Sequence, residues 1–203
     1  GCDVPETIIL ADGDFPSHPL ALEWLRQCPY VVCCDGAANT YIRSGRMPEA
    51  IVGDGDSLLP DIKERYASLI HSEAEQETND LSKAFRFCLS QERKRITIMG
   101  ATGKREDHTI GNVSLLADYM EQAEVSMMTD YGIFVPIRED SMFESYIGQQ
   151  ISVFNMNSTA LSAEGLAYPL SVFTNWWQGT LNEALARHFI IRTEGKVLVF
   201  RVF

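Results

Sequence analysis

The sequence has no excess of positive charge and no apolar run long enough to cross a membrane. Lys and Arg number 17 against 28 Asp and Glu, and the net charge of −11 argues against a general nucleic-acid binder, which would carry a basic face. No segment reaches the ~20 apolar residues of a transmembrane helix, and no signal peptide is expected. We therefore predict a protein without a nucleic-acid or membrane partner.

Paired-cysteine and paired-histidine motifs are also absent. The five cysteines, Cys2, Cys28, Cys33, Cys34 and Cys88, are odd in number and contain no C-x-x-C pair. Cys33 and Cys34 lie inside an apolar run, where a buried thiol is expected. This usage predicts reduced thiols and a cytoplasmic location. The four histidines lack H-x-x-x-H spacing, which argues against a zinc site.

The first 122 residues alternate short apolar runs with helical patterns. Strands are predicted at 7–10, 30–34, 50–52 and 95–99, and helices at 19–27, 37–44, 60–67, 80–91 and 107–122. Short apolar strands that alternate with helices predict an α/β domain with a mainly parallel, Rossmann-like sheet.

The pattern changes after about residue 122. Short strands are predicted at 125–128, 132–137, 142–147, 150–156 and 190–203, with one further helix at 181–186. Closely spaced strands separated by turn residues predict an all-β antiparallel sandwich. We therefore predict two domains, an α/β domain over residues 1–122 and a β-sandwich over residues 123–203.

Asp54 and Asp56 follow the apolar strand 50–52 on a turn that contains two glycines. Such a turn can point both carboxylates to one place, where an extended strand would send them to opposite faces. They form a candidate Mg²⁺ site, and the alternative is an ordinary turn. Asp35 and Asp80 are expected at the same carboxyl edge of the sheet. Their convergence favours the metal, because carboxylates cluster around compensating charge.

Two basic features accompany these acids. Asp80 and Lys83 lie three residues apart at a helix start, so Lys83 either binds phosphate beside a metal on Asp80 or forms an intrahelical ion pair with it. The loop 100–108 joins a strand to a helix, and its glycines would let backbone N–H groups approach an anion. Arg105 has the fork that phosphates favour; alternatively Asp107 caps its helix and Arg105 is solvated.

Together these motifs resemble those of the thiamine pyrophosphokinase family. The matching segments occur in the family's order and span most of the chain: Asp35-Gly36, Gly53 to Ser57, Gln76 with Thr78 to Lys83, Gly100 to His108 with Asn112, Gly165 to Leu170, and Gly179 to Glu183. Three positions depart from the family's usual pattern, namely Ala37, Tyr168 and Leu181.

The resemblance implies an N-terminal catalytic domain that binds ATP and Mg²⁺, and a C-terminal sandwich that binds thiamine. It implies a homodimer with the thiamine pocket at its interface, and transfer of the pyrophosphoryl group of ATP to the thiamine hydroxyl with release of AMP.

The resemblance also implies residue roles. The catalytic set would be Asp54, Asp56, Asp80, Lys83, Arg105 and Asp107, with Asp54, Asp56 and Asp80 as Mg²⁺ ligands. Nucleotide contacts would come from Asp35, Gly36, Gln76, Gly100, Gly103, His108 and Asn112. Thiamine contacts would come from Tyr168, Asn182 and Asp107.

Two alternatives remain. The first is a related pyrophosphokinase that acts on a pterin-like alcohol; segments 165–170 and 179–183 argue against it, since they belong to the thiamine side of the resemblance. The second is a non-catalytic thiamine or nucleotide sensor, which would not need the acids Asp54, Asp56 and Asp80.

Overall fold

A computed structural model describes residues 3–203, which form two compact units. The first contains the chain up to Leu115 together with Gln122–Asp130, and the second contains Leu116–Glu121 and Tyr131–Phe203. The predicted classes, parallel α/β followed by an antiparallel β-sandwich, are confirmed. The predicted division after residue 122 stays a prediction. Within residues 3–203, no helix combines the length and apolar character that a membrane-spanning segment requires.

The first unit is built on parallel strands. In spatial order they are β6 (Glu124–Met128), β5 (Arg95–Met99), β1 (Thr7–Leu10), β2 (Val31–Cys34), β3 (Ala50–Val52) and β4 (Ile70–His71). Ile9 of β1, for example, lies between Val32 of β2 and Ile98 of β5. Every residue of β1, β2 and β3 is buried, which explains why these strands appear in the sequence as continuous apolar runs.

Five helices connect these strands: α1 (Pro19–Gln27), α2 (Ala37–Arg43), α3 (Pro60–Arg65), α4 (Asp80–Ser90) and α5 (Glu106–Ser114). Asn79 caps α4, because its Oδ1 accepts a hydrogen bond from the Ser82 N–H at 2.9 Å. The helix predicted over 107–122 is interrupted after α5. The Ser114 hydroxyl donates to the Gly111 carbonyl at 2.7 Å, a bond that competes with helical pairing.

Strand β6 differs from its predicted role. The sequence pattern assigned residues 125–128 to the antiparallel half, yet β6 pairs in parallel with β5, with Met127 opposite Ile98. The sequence of a five-residue strand predicts that it is extended and partly or fully buried. Whether it pairs in parallel or antiparallel depends on the neighbouring strand.

The second unit contains helix α6 (Leu116–Tyr119) and two antiparallel sheets. The first sheet has the order β11 (Asn182–Glu183), β9 (Gln150–Asn155), β13 (Val197–Val202), β7 (Gly132–Ile137). The second has the order β10 (Leu161–Glu164), β12 (His188–Thr193), β8 (Ser141–Glu144). Their inner faces share one core, in which the Phe143 and Phe189 rings stack at 5.1 Å against Val153 and Val199.

One local prediction in this unit was wrong, and one strand was not predicted. The helix predicted over 181–186 is absent: Asn182 pairs with Ile151 of β9, and Leu181 has φ 65°, which ends any helix. Strand β10 was not predicted, because Leu161–Glu164 has only two apolar residues and a weak strand pattern.

Asp130 joins the start of α1 to the loop after β6. Its carboxylate accepts hydrogen bonds from the Ser17 N–H (2.8 Å), the Ser17 hydroxyl (2.7 Å) and the His18 N–H (2.9 Å). Partial burial raises the pKa of Asp130, but the hydrogen bonds from His18 and Ser17 outweigh it and hold the pKa below its usual value.

We expect Asp130→Ala to lower the free energy of unfolding by about 1–2 kcal/mol at pH 7. Because the folded-state pKa is depressed, this stabilisation is complete above the unfolded pKa of about 4 and is lost as the pH falls through the folded-state pKa. Urea unfolding of the wild type, Asp130→Ala and the exposed control Asp118→Ala measures it. A difference from wild type that stays constant down to strongly acidic pH would contradict the assignment.

Candidate active site

Four aspartates lie at the carboxyl ends of the parallel strands. Asp12 follows β1, Asp35 follows β2, Asp54 follows β3, and Asp80 begins α4. Asp35 is 5% exposed, and its carboxyl accepts from the Ser57 N–H at 3.3 Å and is close enough to Asp54 for each to shift the other's pKa. The charge of Asp80 acts on both Asp12 and Asp35. The sheet therefore brings the predicted acids together and adds Asp12, which sequence reasoning missed although it follows its strand as the others do.

Burial and the neighbouring charges shift the pKa values of these acids. Burial, together with the hydrogen bond to Asp54 and its charge, raises the pKa of Asp35 to about 6. Burial also raises the pKa of Asp80 and of Asp12. The pKa of Asp54 is lowered instead, by the backbone N–H of Asp56 and then by the Asp35 side chain. The negative charge of the group is thus only partly compensated within the protein.

Two glycines permit this crowding. A Cβ at Gly36 would lie 2.7 Å from Oδ2 of Asp12, and a Cβ at Gly53, where φ is 144°, would lie 2.9 Å from the Cβ of Asp35. A larger residue at either position would displace a carboxylate. The predicted site residue Gly36 therefore has a structural role, because its lack of a side chain leaves room for the Asp12 carboxylate.

A cleft of about 640 Å³ opens beside the acids. Asp12 and Asp80 line it, as do the predicted site residues Arg105, Asp107, His108 and Asn112. The Arg105 guanidinium donates to both carboxylate oxygens of Asp107, at 3.1 and 2.7 Å, and this pairing lowers the pKa of Asp107. Arg105 is therefore paired with a carboxylate in this conformation, and that pairing neutralises its charge.

Asn112 braces one side of the cleft. Its Nδ2 donates to the Ala101 carbonyl at 2.9 Å, and its Oδ1 accepts from Nδ2 of Asn79 at 3.0 Å. Since Asn79 also caps α4, these hydrogen bonds fasten the helix that begins with Asp80 to the loop after β5. On this geometry Asn112 is a positioning residue.

Lys83 lies one turn after Asp80 and is only 7% exposed. Its charge lowers the pKa of Asp80, against the larger effect of burial. Within the described chain the two side chains form no direct ion pair, so the simple intrahelical pair is not what the structure contains. A buried ammonium next to a group of carboxylates is a suitable donor for a bound phosphate.

The remaining predicted residues of the first unit are less closely tied to the cleft. Asp56 is exposed, and its backbone N–H donates to Oδ1 of Asp54 at 2.9 Å. Gly100 and Gly103 form the loop after β5, with φ values of 70° and 95°. Gln76 is exposed, donates to the Ala74 carbonyl at 3.4 Å, and is not among the described residues that line the cleft.

The predicted Mg²⁺ site stays a prediction. In residues 3–203, no group of three or more His, Cys, Asp or Glu side chains is arranged to hold a metal ion. The donor chemistry nevertheless fits, because Asp54, Asp56 and Asp80 offer only hard oxygen ligands. The raised pKa values of Asp35 and Asp80 reflect burial together with a repulsion that a bound cation would relieve.

In the second unit, Asn182 holds the segment that carries Tyr168. Asn182 is 5% exposed; its Nδ2 donates to the Tyr168 carbonyl at 2.9 Å, and its Oδ1 accepts from the Tyr168 N–H at 3.1 Å. The Tyr168 side chain is 61% exposed. Of the two predicted thiamine contacts in this unit, Tyr168 is accessible, and Asn182 holds the backbone of Tyr168 in place.

Two family models match this chain. The model of the thiamin pyrophosphokinase catalytic domain matches residues 21–128. The model of the thiamin pyrophosphokinase substrate-binding domain matches residues 132–200.

Similar proteins include thiamine pyrophosphokinase 1 of Oryza sativa subsp. japonica, which is 30% identical over 129 residues, or 51% of this chain and 49% of the relative. The thiamine pyrophosphokinase of Bacillus subtilis is 34% identical over 86 residues, or 40% of each chain. The chain spans about half the length of the curated relatives it matches.

Solved structures agree on the fold. The crystal structure of thiamine pyrophosphokinase from Bacillus subtilis superposes with a TM-score of 0.81 at 20% identity, covering 97% of this chain and 98% of that one. The crystal structure of yeast thiamin pyrophosphokinase gives 0.80 at 16% identity, covering 100% and 88%.

Proposed function

We propose, from the premise that this chain belongs to the thiamin pyrophosphokinase family, that it transfers the pyrophosphoryl group of ATP to the hydroxyl of thiamine and releases AMP. The observation that carries the proposal is the convergence of Asp35, Asp54 and Asp80 at one edge of the sheet, where Asp80 lines the cleft and the charge of Lys83 acts on Asp80. A sensor or a structural protein would not need such mutually repelling acids.

The reaction requires an alcohol to attack the β-phosphorus of ATP. Such a transfer depends on charge neutralisation and in-line placement more than on covalent participation of the protein. We assign Asp54, Asp56 and Asp80 to holding Mg²⁺, which would neutralise charge on the phosphate oxygens when bound. Lys83 would add a fixed positive charge at the same edge of the sheet.

Thiamine carries a cationic ring, which suits an acidic protein with an accessible aromatic side chain. We propose that the Tyr168 ring stacks on it, since a cation over an aromatic face is attracted to the ring.

A homodimer belongs to the same proposal. Its support is the exposure of large apolar side chains in the second unit: Met142 (67%), Ile147 (73%), Trp177 (70%) and Leu181 (67%). Sedimentation equilibrium tests it, and a monomer at micromolar concentration would contradict it.

We also propose a cytoplasmic location, which the thiols support. Cys28, Cys33, Cys34 and Cys88 are all free, and Cys2 lies outside the described residues. Burial raises the pKa of Cys33 and Cys88, which makes these thiols unreactive. Fractionation of the native host's cells would test the location.

The test of the function is an assay of nucleotide products with ATP, Mg²⁺ and thiamine. Thiamine-dependent formation of AMP and thiamine diphosphate is the expected result. Thiamine-dependent ADP would indicate a simple kinase. Thiamine binding without either nucleotide would favour the sensor, and AMP formed only with a pterin-like alcohol would favour the other pyrophosphokinase.

We expect Asn182→Ala to raise the KM for thiamine about tenfold, because two hydrogen bonds that position Tyr168 are lost. The KM for ATP should change less than twofold. The matched control is Asn157→Ala, which removes a hydrogen bond to the Lys196 N–H in the same unit without touching Tyr168. An equal rise in the thiamine KM for both variants would show a general loss of stability instead of a positioning role.

A further inference from the structure

Two Lys or Arg side chains line the cleft, and they differ in what they already bind. Arg105 is engaged by Asp107 through two hydrogen bonds. Lys104 donates one hydrogen bond, from Nζ to the backbone carbonyl of Asp12 at 3.2 Å, and forms no ion pair with a carboxylate within the described chain. Two of the three N–H groups of its ammonium therefore remain for a ligand.

The backbone at the base of Lys104 is held by the loop after β1. The Ala11 N–H donates to the Met99 carbonyl at 2.8 Å, the Gly13 N–H to the Gly100 carbonyl at 2.6 Å, and the Asp14 N–H to the Thr102 carbonyl at 2.9 Å. These three bonds join the chain after β1 to the end of β5 and the loop that follows it, which are far apart in the sequence. The hydrogen bonds therefore hold the backbone near Lys104 in place, and the Lys104 ammonium lies close to Asp12.

The surroundings of Lys104 are acidic, which matters for an anionic ligand. Asp12 and Asp80 line the same cleft, and their charges would repel a phosphate group. The Lys104 charge opposes this repulsion, as its lowering effect on the pKa of Asp12 indicates. The Asp107 carboxylate holds two of the five N–H groups of Arg105 and neutralises its charge, whereas Lys104 shares only a neutral carbonyl oxygen and keeps its full charge for a phosphate.

We propose that Lys104 binds the β- and γ-phosphates of the nucleotide, while Arg105 stays paired with Asp107 and orients it. This assignment rests on the proposed function, which supplies the nucleotide. It makes Lys104 a binding residue that discriminates ATP from AMP, because AMP lacks the phosphates that Lys104 would contact.

The test is isothermal titration calorimetry of ATP and of AMP in the presence of Mg²⁺ and without thiamine. Lys104→Met, which keeps the apolar stem and removes the charge, should weaken ATP binding at least about tenfold, the size of one charge-assisted hydrogen bond. Its affinity for AMP should change less than twofold. Lys104→Arg should retain ATP affinity within about threefold, since the charge remains. The control is Lys94→Met, an exposed lysine just before β5, at the opposite end of that strand.

Each outcome separates this inference from the function on which it rests. Unchanged ATP affinity in Lys104→Met, with a wild type that still forms AMP from ATP and thiamine, would overturn the assignment of Lys104 alone. Equal losses for ATP and AMP would also overturn it, because the contact would then not be with the β- and γ-phosphates. A wild type that neither binds ATP nor forms AMP would overturn the proposed function and the role of Lys104 with it.

Discussion

Asp54→Asn is expected to reduce thiamine-dependent AMP formation at least about 100-fold, the scale on which a group that stabilises developing charge acts. Asp54 raises the pKa of Asp35 and its charge raises that of Asp80, so it interacts with both of the other acids. Its replacement removes a hard oxygen ligand while keeping the shape of the side chain. Asp56→Asn, two residues further along the chain, is expected to lose activity as well. The measurement is AMP release with ATP, Mg²⁺ and thiamine.

Melting temperatures distinguish a carboxylate that acts in catalysis from one that stabilises the fold. Because Asp54 is exposed and an Asn Oδ1 can still accept the hydrogen bond from the Asp56 N–H, the melting temperature of Asp54→Asn without Mg²⁺ should stay close to that of the wild type. Added Mg²⁺ should raise the melting temperature of the wild type more than that of the variant. Asp61→Asn, an exposed carboxylate in the first turn of α3, is the matched control and should stay active. An Asp54→Asn protein with more than a tenth of wild-type activity would exclude Asp54 as a metal ligand.

Gly179→Ala is expected to destabilise the second unit by about 3 kcal/mol or more. Gly179 ends a short 3₁₀ helix, Trp177–Gly179, and a Cβ there would overlap the backbone carbonyl oxygen of Val153. That oxygen belongs to β9, which is paired on both sides and cannot shift without loss of ladder hydrogen bonds. Urea unfolding measures the effect.

The control for this variant is Gly111→Ala. Gly111 lies in α5, and a Cβ there would have no atom within 4 Å. An alanine in a helix is favoured over glycine by up to about 1 kcal/mol, so no loss of stability is expected. In Gly179→Ala the segment that leads to Asn182 must move, so the thiamine KM should rise too. If Gly179→Ala were as stable as the wild type, the backbone of β9 would have to shift at Val153 without cost, and the prediction would be wrong.

The sequence by itself determined the parallel strands and most of the acidic group. Buried parallel strands have no polar face, so 8–10, 31–34 and 50–52 appear as uninterrupted apolar runs. Polar residues that follow such runs must come to the same edge of the sheet, which is why Asp35 and Asp54 could be expected to meet. These are consequences of local pattern and of one topological rule, and no distant contact is needed to see them.

The tertiary structure alone decided which partner each group has. The parallel pairing of β6, the hydrogen bonds of Asn182 around Tyr168 and the bond from Lys104 to Asp12 all join positions distant in the sequence. The ion pair between Arg105 and Asp107 depends on the conformation of the loop, which the two residue types alone do not specify. Residue types show what a side chain can bind; which partner it does bind depends on distances that only the folded chain establishes.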